Sequence, residues 1–377
     1  ITMHNFMFSP SFLNLRKEIW SYDWISMLHL GSRAFSEISG EVVQTTAYII
    51  SNDLLSRDMS IVDVTDINNT EEKERYFLSS EKRIYYFNLL KTSYIPWRVM
   101  GYALSKQIIE YYQKGQTLES YCEAKAGIVT GDDDYFCKLW YEVNFGDITQ
   151  FPQKDKLYKY VPFSRGGTFV SWYGNIHHVL KLKDLWNDKL TNKSVRRGDK
   201  DYYYRRGIGW SQMGGGVNKA YSVIDNCVCK TTTPMLYPRE SMFNYILGYL
   251  NTKIPAKILK SLNPTLSILI SDIQHLPFIS DCSLTDRINE NVDNCISLAK
   301  ESDNSYEISW EFKCHPLLPT IYNKTVSADL NEKNKILKCY KNWEKKCIKR
   351  FNQLKSNEEE LSRIFINIYG LQDELTP

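Results

Sequence analysis

The stretch SFLNLRKEIWSYDWISMLHLGSRAFSEISGEVVQTTAYII, residues 11–50, decides the fold class of this 377-residue chain. Ser11 stands where it can cap a helix with one apolar face. The β-rich runs at 24–30 and 42–50 are joined by a glycine-punctuated linker, which predicts two neighbouring, paired strands. Residues 1–10 predict a further short apolar strand. We therefore expect the stretch to finish an α/β sheet, which needs more parallel strands than it contains.

The composition changes along the chain, and these changes predict four parts. Residues 1–60 form the end of the sheet, and a polar, then aromatic segment at 61–120 forms a bridge. Short β-rich runs separated by glycine-rich turns at 121–280 predict a separate α+β domain. Residues 281–377 are charged and carry apolar residues at helical spacing, which predicts a helical tail. The predicted fold class is α+β.

The tail contains local helix signals. Apolar residues recur every three or four positions from Tyr340 to Ile368. Ser356 and Glu359 have the spacing of a capping box, which predicts a helix start, and Gly370 predicts its end.

Composition excludes several classes of function. The formal net charge of +3 is too small to indicate nucleic-acid binding without local clustering of Lys and Arg. The nine cysteines include no Cys-x-x-Cys pair, and we interpret Cys227 and Cys229 as buried thiols rather than metal ligands. No apolar run reaches the length of a membrane helix, and the first residues do not resemble a signal peptide. We expect a cytoplasmic protein that does not contact a membrane.

Several blocks of sequence resemble the adenine-specific methyltransferase of BREX-type phage-exclusion systems, the PglX family, and they occur in that family's order. They are HLGSRAFSEISGEVVQTTAYII at 29–50, GIVTGDDDYFCKLWYEVN at 127–144, VPFSRGGTFVSWYGN at 161–175, DYYYRRGIGWS at 201–211, YILGYLNTK at 245–253, LNPTLSILISDIQHLP at 262–277, SWEFKCHPLL at 309–318 and the closing residues from 350 to 377.

The resemblance implies transfer of a methyl group from S-adenosylmethionine to the amino group of adenine in duplex DNA. The target base must leave the stack and enter a pocket, where an Asn-Pro-Pro-aromatic tetrapeptide holds it. Neither that tetrapeptide nor the glycine-rich loop for the methyl donor occurs in the 377 residues. Asn263-Pro264 is followed by Thr265 and Leu266, and we assign it to a turn.

The resemblance therefore predicts the carboxy-terminal portion of such an enzyme. Residues 1–60 would end its Rossmann-like methyltransferase core, 121–280 would be its target-recognition domain and 281–377 its helical tail. S-adenosylmethionine is the expected cofactor of the complete enzyme, and we expect this chain alone to bind none. We assign no catalytic and no metal-binding residue, and we expect the chain alone to be inactive.

The expected partner is double-stranded DNA, and its candidate contacts are clustered cations. The densest cluster is KSVRRGDKDYYYRRGIGW at 193–210, where aromatic rings lie between the basic residues. Flexible cations suit phosphates, and the planar guanidinium of Arg suits base edges. A solvated hairpin with inward-facing tyrosines explains the same segment. The candidates are Lys156, Lys159, Arg165, Lys193, Arg196, Arg197, Lys200, Arg205, Arg206 and Trp210.

Arg165 is followed by two glycines at 166–167, which would let the backbone approach a phosphate closely. An ordinary β-turn explains these glycines equally well.

Acidic residues are weaker candidates for a functional site. Asp132 and Asp133 follow a glycine and could bind a metal, accept from cytosine or cap a helix, and we predict capping. Asp303, Glu311 and Lys313 loosely match a nuclease pattern, which we interpret as a chance match.

Two other functions compete with DNA recognition. The chain could be a protein-interaction subunit of the phage-exclusion complex, with the tail docking a partner and no DNA binding of its own. It could also be half of a methyltransferase assembled in trans with the missing amino-terminal half. The target DNA sequence does not follow from one chain, because recognition loops vary independently of their scaffold.

Overall fold

The computed structural model describes residues 1–35, 43–54, 58–167, 170–214, 219–265, 267–318 and 332–377. The protein is a mixed α+β structure with several sheets, as predicted. Its contacts divide it into two compact units. Unit 1 contains Ile1–Thr117, Lys257–Thr265 and His275–Phe278, and unit 2 contains Leu118–Ala256, Leu266–Gln274 and Ile279–Pro377. The four-part domain division stays a prediction.

Unit 1 is built on one five-stranded sheet with the order β1-β3-β2-β4-β5, in which β2 and β4 are parallel and the other neighbours are antiparallel. Its strands and helices are β1 (Thr2–Met3), α1 (Leu13–Ile19), β2 (Tyr22–Gly31), β3 (Thr45–Leu54), β4 (Met59–Asp63), α2 (Thr70–Leu78), β5 (Ile84–Phe87) and α3 (Lys106–Gln113).

The pairing predicted from residues 11–50 is confirmed, because β2 and β3 are antiparallel neighbours with Met27 opposite Tyr48. The connecting residues 36–42 lie outside the described residues. The strand predicted at 1–10 was too long: it covers only Thr2–Met3, and a helical turn follows. After the turn begins, the backbone bonds locally, with the N–H groups of Phe8 and Ser9 donating to the carbonyl oxygen of Asn5 at 3.2 and 2.9 Å, so the ladder does not continue.

The predicted capping by Ser11 was wrong. The helix α1 begins at Leu13, and no side chain caps it. The hydroxyl of Ser11 instead bonds that of Ser9 at 2.8 Å. A short helical turn at Pro10–Phe12 comes before α1 and leads directly into it.

The side chain of Arg16, in α1, is fully buried, with 0% exposure. Its Nη1 donates to the carbonyl oxygens of Phe6 and Ser9, both at 2.7 Å. Its Nε and Nη2 donate to the carbonyl oxygen of Trp97 at 3.0 and 2.8 Å. Burial lowers the pKa of Arg16 to about 10, so the guanidinium stays charged at neutral pH. One side chain thus ties three separate turns together.

A chain of buried hydrogen bonds crosses the core of unit 1. His4 Nδ1 lies 2.9 Å from His29 Nε2, and His29 Nδ1 lies 2.7 Å from the Tyr102 hydroxyl. That hydroxyl donates to Asp63 at 2.6 Å. Because the Asp63 carboxylate only accepts, Tyr102 accepts from His29, which in turn accepts from His4. Burial opposes ionisation of Asp63, but hydrogen bonds from Tyr102 and Thr65 hold its pKa below the usual value.

This chain of hydrogen bonds predicts loss of stability in mild acid. Burial, with a smaller effect of the other histidine, lowers the pKa of His4 to about 4; burial lowers that of His29 to about 4. The unfolded chain therefore takes up protons first, so stability is complete above about pH 6.5 and falls as the pH drops towards 4. We expect a loss of about 2 kcal/mol per histidine between about pH 7 and 5.

Urea unfolding at both pH values measures this loss, and His4→Gln is the informative variant. The variant removes one titrating group, so its loss between the two pH values should be clearly smaller than that of the original chain, whatever its stability at pH 7. An unchanged pH dependence would contradict the prediction. Lys73 and Asp63 also face this chain of hydrogen bonds, but neither gains or loses a proton in this range when unfolded.

Unit 2 contains two sheets, with the orders β13-β8-β10-β7 and β6-β14-β11-β12-β9. Its strands are β6 (Cys122–Lys125), β7 (Cys137–Leu139), β8 (Val161–Ser164), β9 (Trp172–Tyr173), β10 (His178–Leu180), β11 (Gly207–Gly209), β12 (Ser222–Ile224), β13 (Val228–Cys229) and β14 (Met235–Pro238). Cys227 and Cys229 are buried, as predicted.

The helices of unit 2 follow and connect these strands. They are α4 (Asp133–Phe136), α5 (Leu182–Leu185), α6 (Phe243–Leu250), α8 (Ile270–Gln274), α9 (Thr285–Asp303) and α10 (Glu332–Tyr369), while α7 (Lys253–Leu262) has residues in both units. None of the helices described combines the length and the apolar character that a membrane span requires.

The tail helices pack on the rest of unit 2. Helix α9 approaches α6 so closely that a Cβ on Gly248 would lie 3.0 Å from Val292. On α10, the ring of Phe365 lies 5.2 Å from that of Tyr245. The indole N–H of the buried Trp172 in β9 donates to Glu358 of α10 at 2.7 Å. Burial raises the pKa of Glu358, and this hydrogen bond partly offsets the shift.

The end predicted for the tail helix is confirmed, and the start is wrong. Helix α10 ends at Tyr369, and Gly370 follows with φ of 63°. Ser356 and Glu359 lie inside α10, which continues through them from Glu332. No helix starts at this capping-box sequence, because the apolar face of α10 extends on both sides of it and its packing keeps the helix continuous.

Candidate nucleic-acid interface

The basic segment at 193–210 is held to unit 2 at both ends. The backbone of Arg196 bridges to Val129. At the other end the chain enters β11, and Trp210 follows it in the core at 2% exposure. The indole N–H of Trp210 donates to the carbonyl oxygen of Ile268 at 3.2 Å. Its ring is therefore not available for stacking on a base, and we leave Trp210 out of the interface.

The three consecutive tyrosines divide between core and surface. Tyr203 and Tyr204 pack against the core cluster that contains Leu185, and burial raises the pKa of both. Tyr202 is partly exposed, and its ring contacts cations. Inward packing thus accounts for two of the tyrosines, while the neighbouring cations remain at the surface.

Trp186 is the centre of the first group of cations and rings. The ammonium nitrogen of Lys200 lies 3.5 Å from the ring centroid of Trp186, and the guanidinium carbon of Arg197 lies 5.0 Å from it. Arg197 also donates to the carbonyl oxygen of Leu185 at 3.0 Å and to Asp188 at 2.6 Å. Arg197 is therefore part of the local structure, whereas Lys200 is exposed.

Tyr202 and Tyr237 form the second group, with their ring centroids 4.9 Å apart. The guanidinium of Arg205 lies 4.8 Å from the ring of Tyr202 and 5.0 Å from that of Tyr237. Lys125 lies 4.4 Å from Tyr202 and forms an ion pair with Asp199 at 3.2 Å. Contact with rings orients the charges of Arg205 and Lys125 without removing them from solvent.

Other candidate cations are paired with acids. Arg206 forms an ion pair with Glu240 at 3.0 Å and lies 3.9 Å from the ring of Phe243. Lys159 forms an ion pair with Asp147 at 2.6 Å. Among the residues that the structure describes, no ion pair involves the exposed candidates Lys156, Lys193, Arg196, Lys200 and Arg205.

Arg165 belongs to a separate polar cluster around Asp133. The Asp133 carboxylate accepts from Lys230 and Thr130, and Arg165 lies 3.4 Å from it. Burial opposes ionisation of Asp133, but its hydrogen bonds with Lys230 and Thr130 hold its pKa below the usual value. Asp132 caps α4 by accepting from the backbone N–H of Tyr135 at 3.0 Å, which confirms the predicted capping.

The acidic side chains have partners of their own. Glu311 forms an ion pair with Lys300 at 2.6 Å, and the carboxylate of Asp303 has its pKa raised chiefly by burial. Within the described ranges, no group of three or more His, Cys, Asp or Glu side chains is placed to hold a metal ion.

Sequence reasoning missed the rings that organise this surface. Trp186 and Tyr237 lie outside the segment at 193–210, and Lys125 lies still further from it along the chain. No local spacing relates these residues, since sheet pairing and loop packing bring them together. An excess of aromatic residues, 14% of the chain, was the one available signal.

Comparison with solved structures gives partial likenesses. The Type IIL restriction-modification enzyme MmeI in complex with DNA is 12% identical with a TM-score of 0.47, covering 96% of this chain and 44% of that one. A DrdV–DNA complex is 13% identical with a TM-score of 0.41, covering 79% and 37%. With TM-scores below 0.5, these likenesses support no conclusion about this chain. No family model matches the sequence.

Along its full length, the chain is similar to two curated adenine-specific methyltransferases. The relatives are PglX of Lacticaseibacillus casei (strain Zhang), 32% identical over 401 residues, and BrxX of Escherichia coli O9:H4 (strain HS), 27% identical over 391 residues. Both alignments cover 100% of this chain but 32% and 30% of the relatives, so the chain spans about a third of their length. The resemblance predicted from the sequence blocks is confirmed.

Proposed function

We propose that this chain is the DNA-recognition portion of an adenine-specific methyltransferase of a phage-exclusion system, and that unit 2 binds duplex DNA. The observation that carries the proposal is the group of exposed cations at Lys193, Arg196, Lys200 and Arg205, which lie on one segment without ion pairs in the described structure. Such cations can replace the counterions of the phosphate backbone.

The aromatic rings favour this use of the cations. A long side chain loses about 0.5–1.5 kcal/mol of rotational freedom when an interface immobilises it. Lys200 on Trp186 and Arg205 on Tyr202 and Tyr237 are already oriented in the unbound protein. Less freedom is then lost on binding. The guanidinium of Arg205 is also suited to a base edge.

We further propose that the sheet of unit 1 is the end of a Rossmann-like methyltransferase sheet and that the complete enzyme uses S-adenosylmethionine. The parallel pair of β2 and β4 supports the first proposal. We propose that this chain alone does not hold the cofactor, since its binding needs a glycine-rich turn from a strand into a helix, and the described residues supply no such turn. The loop with Gly214 connects β11 to β12, two antiparallel strands. We propose no methyl-transfer step on this chain alone.

The experiment that tests duplex binding is a salt titration. We expect a labelled 30-base-pair duplex to bind the full chain, and the affinity to fall roughly 100-fold from about 50 to about 200 mM salt if about four phosphates are contacted. Fluorescence anisotropy measures both affinities. Absence of binding at the lower salt concentration, or an affinity independent of salt, would contradict the proposal.

A further inference from the structure

Helix α10 carries an apolar face that the described structure leaves exposed. Its side chains are between 48 and 66% exposed, and we call them the α10 stripe: Ile336, Leu337, Tyr340, Ile348 and Phe351. At 100° per residue they fall on an arc of about 120° along four turns of helix. The stripe consists of two apolar groups, Ile336, Leu337 and Tyr340 before Glu344 and Ile348 and Phe351 after it, and exposed apolar groups of this kind indicate a binding surface.

In the first half of α10 the stripe lies beside a covered face. Cys339 is buried at 1% exposure, and Arg350 is largely covered, with its Nη1 lying 3.8 Å from Glu301 of α9. Further along, α10 buries Phe365 and Tyr369, which fall on the same arc as the stripe. The stripe therefore continues, on the exposed part of the helix, the apolar face that the last turns of α10 bury.

A row of lysines borders the stripe on one side. They are Lys338, Lys341, Lys345 and Lys349, all exposed and without an ion pair in the part of the chain that the structure describes. The exposed Glu344 lies about 80° from Ile336 around the helix, within the arc of the stripe and not in the lysine row. The side chains of Lys345, Ile348, Lys349, Asn352 and Gln353 surround a shallow, open depression on the surface of α10.

These features select one kind of occupant. An apolar centre bordered by cations complements a helix with an apolar stripe and acidic flanks, the pairing that charged flanking positions specify between helices. A second copy of α10 packed antiparallel would place its own lysine row against these lysines, and such like-charge pairs oppose association. A duplex would attract the lysines but would leave the five apolar side chains of the stripe without a partner.

We propose that the α10 stripe is a docking surface for an acidic amphipathic helix of another protein. The proposal goes beyond DNA recognition and does not depend on it, because the cations proposed to contact DNA lie at 193–205. It would allow one chain to hold duplex DNA and a protein partner with different residues.

The test uses the full chain and two designed helical peptides with the same leucine stripe. One peptide has glutamates on its flanks and the other has lysines. We expect saturable binding of the acidic peptide in fluorescence anisotropy and at least tenfold weaker binding of the basic peptide. We also expect the double variant Ile348→Ser, Phe351→Ser to weaken binding of the acidic peptide at least tenfold. Circular dichroism confirms that the variant remains folded.

The matched control replaces two apolar residues that are equally exposed elsewhere in unit 2, as Phe151→Ser and Leu157→Ser. This control should bind the acidic peptide like the original chain. Equal binding of both peptides, no binding at millimolar peptide, or equal losses in both double variants would overturn the proposal. Dimerisation that the Ile348→Ser, Phe351→Ser variant abolishes would assign the stripe to a second copy, and loss of duplex affinity in that variant would assign it to DNA.

Discussion

Reversing four exposed charges, as Lys193→Glu, Arg196→Glu, Lys200→Glu and Arg205→Glu, is expected to reduce the affinity of this chain for duplex DNA at least about 100-fold at about 50 mM salt. Each reversal removes a cation that displaces counterions from DNA and adds repulsion from the phosphates. The slope of log affinity against log salt should also become shallower, by about 0.9 for each phosphate that the variant no longer neutralises. Anisotropy titrations at several salt concentrations measure both quantities.

The choice of these four positions follows from their contacts. Arg197 and Arg206 are excluded because Arg197 donates to the carbonyl oxygen of Leu185 and Arg206 pairs with Glu240. Reversing either charge could disturb folding as well as binding. The four chosen side chains are exposed and lack ion pairs within the described ranges. Lys200 and Arg205 also contact aromatic rings, and an exposed contact of this kind contributes about 0.5–1 kcal/mol, so circular dichroism should confirm that the variant remains folded.

A control with the same change in charge separates a specific surface from general attraction. It reverses four exposed cations of unit 1, as Lys17→Glu, Arg75→Glu, Lys91→Glu and Lys114→Glu. We expect this control to retain most of its affinity, apart from a modest effect of net charge. If both quadruple variants lose affinity equally, the segment at 193–205 is not the DNA-binding surface.

Replacing the buried Arg16 by Met is expected to lower the free energy of unfolding by about 4 kcal/mol. Methionine fills much of the volume, but it leaves the carbonyl oxygens of Phe6, Ser9 and Trp97 without the donors they have now. A buried polar group left unpaired costs about 1–3 kcal/mol. Three such groups, partly rehydrated in the variant, account for the expected loss.

Urea unfolding followed by circular dichroism measures this change, and two further variants bracket it. Arg16→Lys keeps a charge but cannot reproduce the planar fork of donors, so we expect an intermediate loss of about 2 kcal/mol. Arg75→Met removes an exposed arginine of α2 and should change stability by less than about 0.5 kcal/mol. Similar losses in Arg16→Met and Arg75→Met would show that the buried hydrogen bonds contribute little.

Local patterns predicted those parts of the fold that local physics controls. The paired strands β2 and β3 followed from apolar runs around a glycine-punctuated linker, and the helix stop at Gly370 followed from the freedom of glycine at positive φ. The capping box at Ser356 and Glu359 failed because it is a preference of about 1 kcal/mol, which the packing of a long helix outweighs. Local signals are reliable only where tertiary packing agrees with them.

The candidate site was predicted in part. Exposed cations such as Arg196 and Lys200 followed from clustering of charge alone. The sequence could not separate these from Arg206, which pairs with an acid 34 positions along the chain. Nor could it place Trp210 in the core, because an aromatic residue among cations has the same sequence pattern whether it stacks outward or inward. Distinguishing such residues requires the partners that folding brings from elsewhere.

The bond from Trp172 to Glu358 joins a strand of the second sheet to the last helix, across 186 positions of sequence. Chimaeras that exchange parts of unit 2 should therefore transplant both regions together. A graft that exchanged only the sheets would bring in a new residue at position 172 while keeping Glu358, and a graft of the last helix alone would do the opposite. In either case a buried donor or acceptor would lose its partner in a protein interior whose packing evolved around that hydrogen bond.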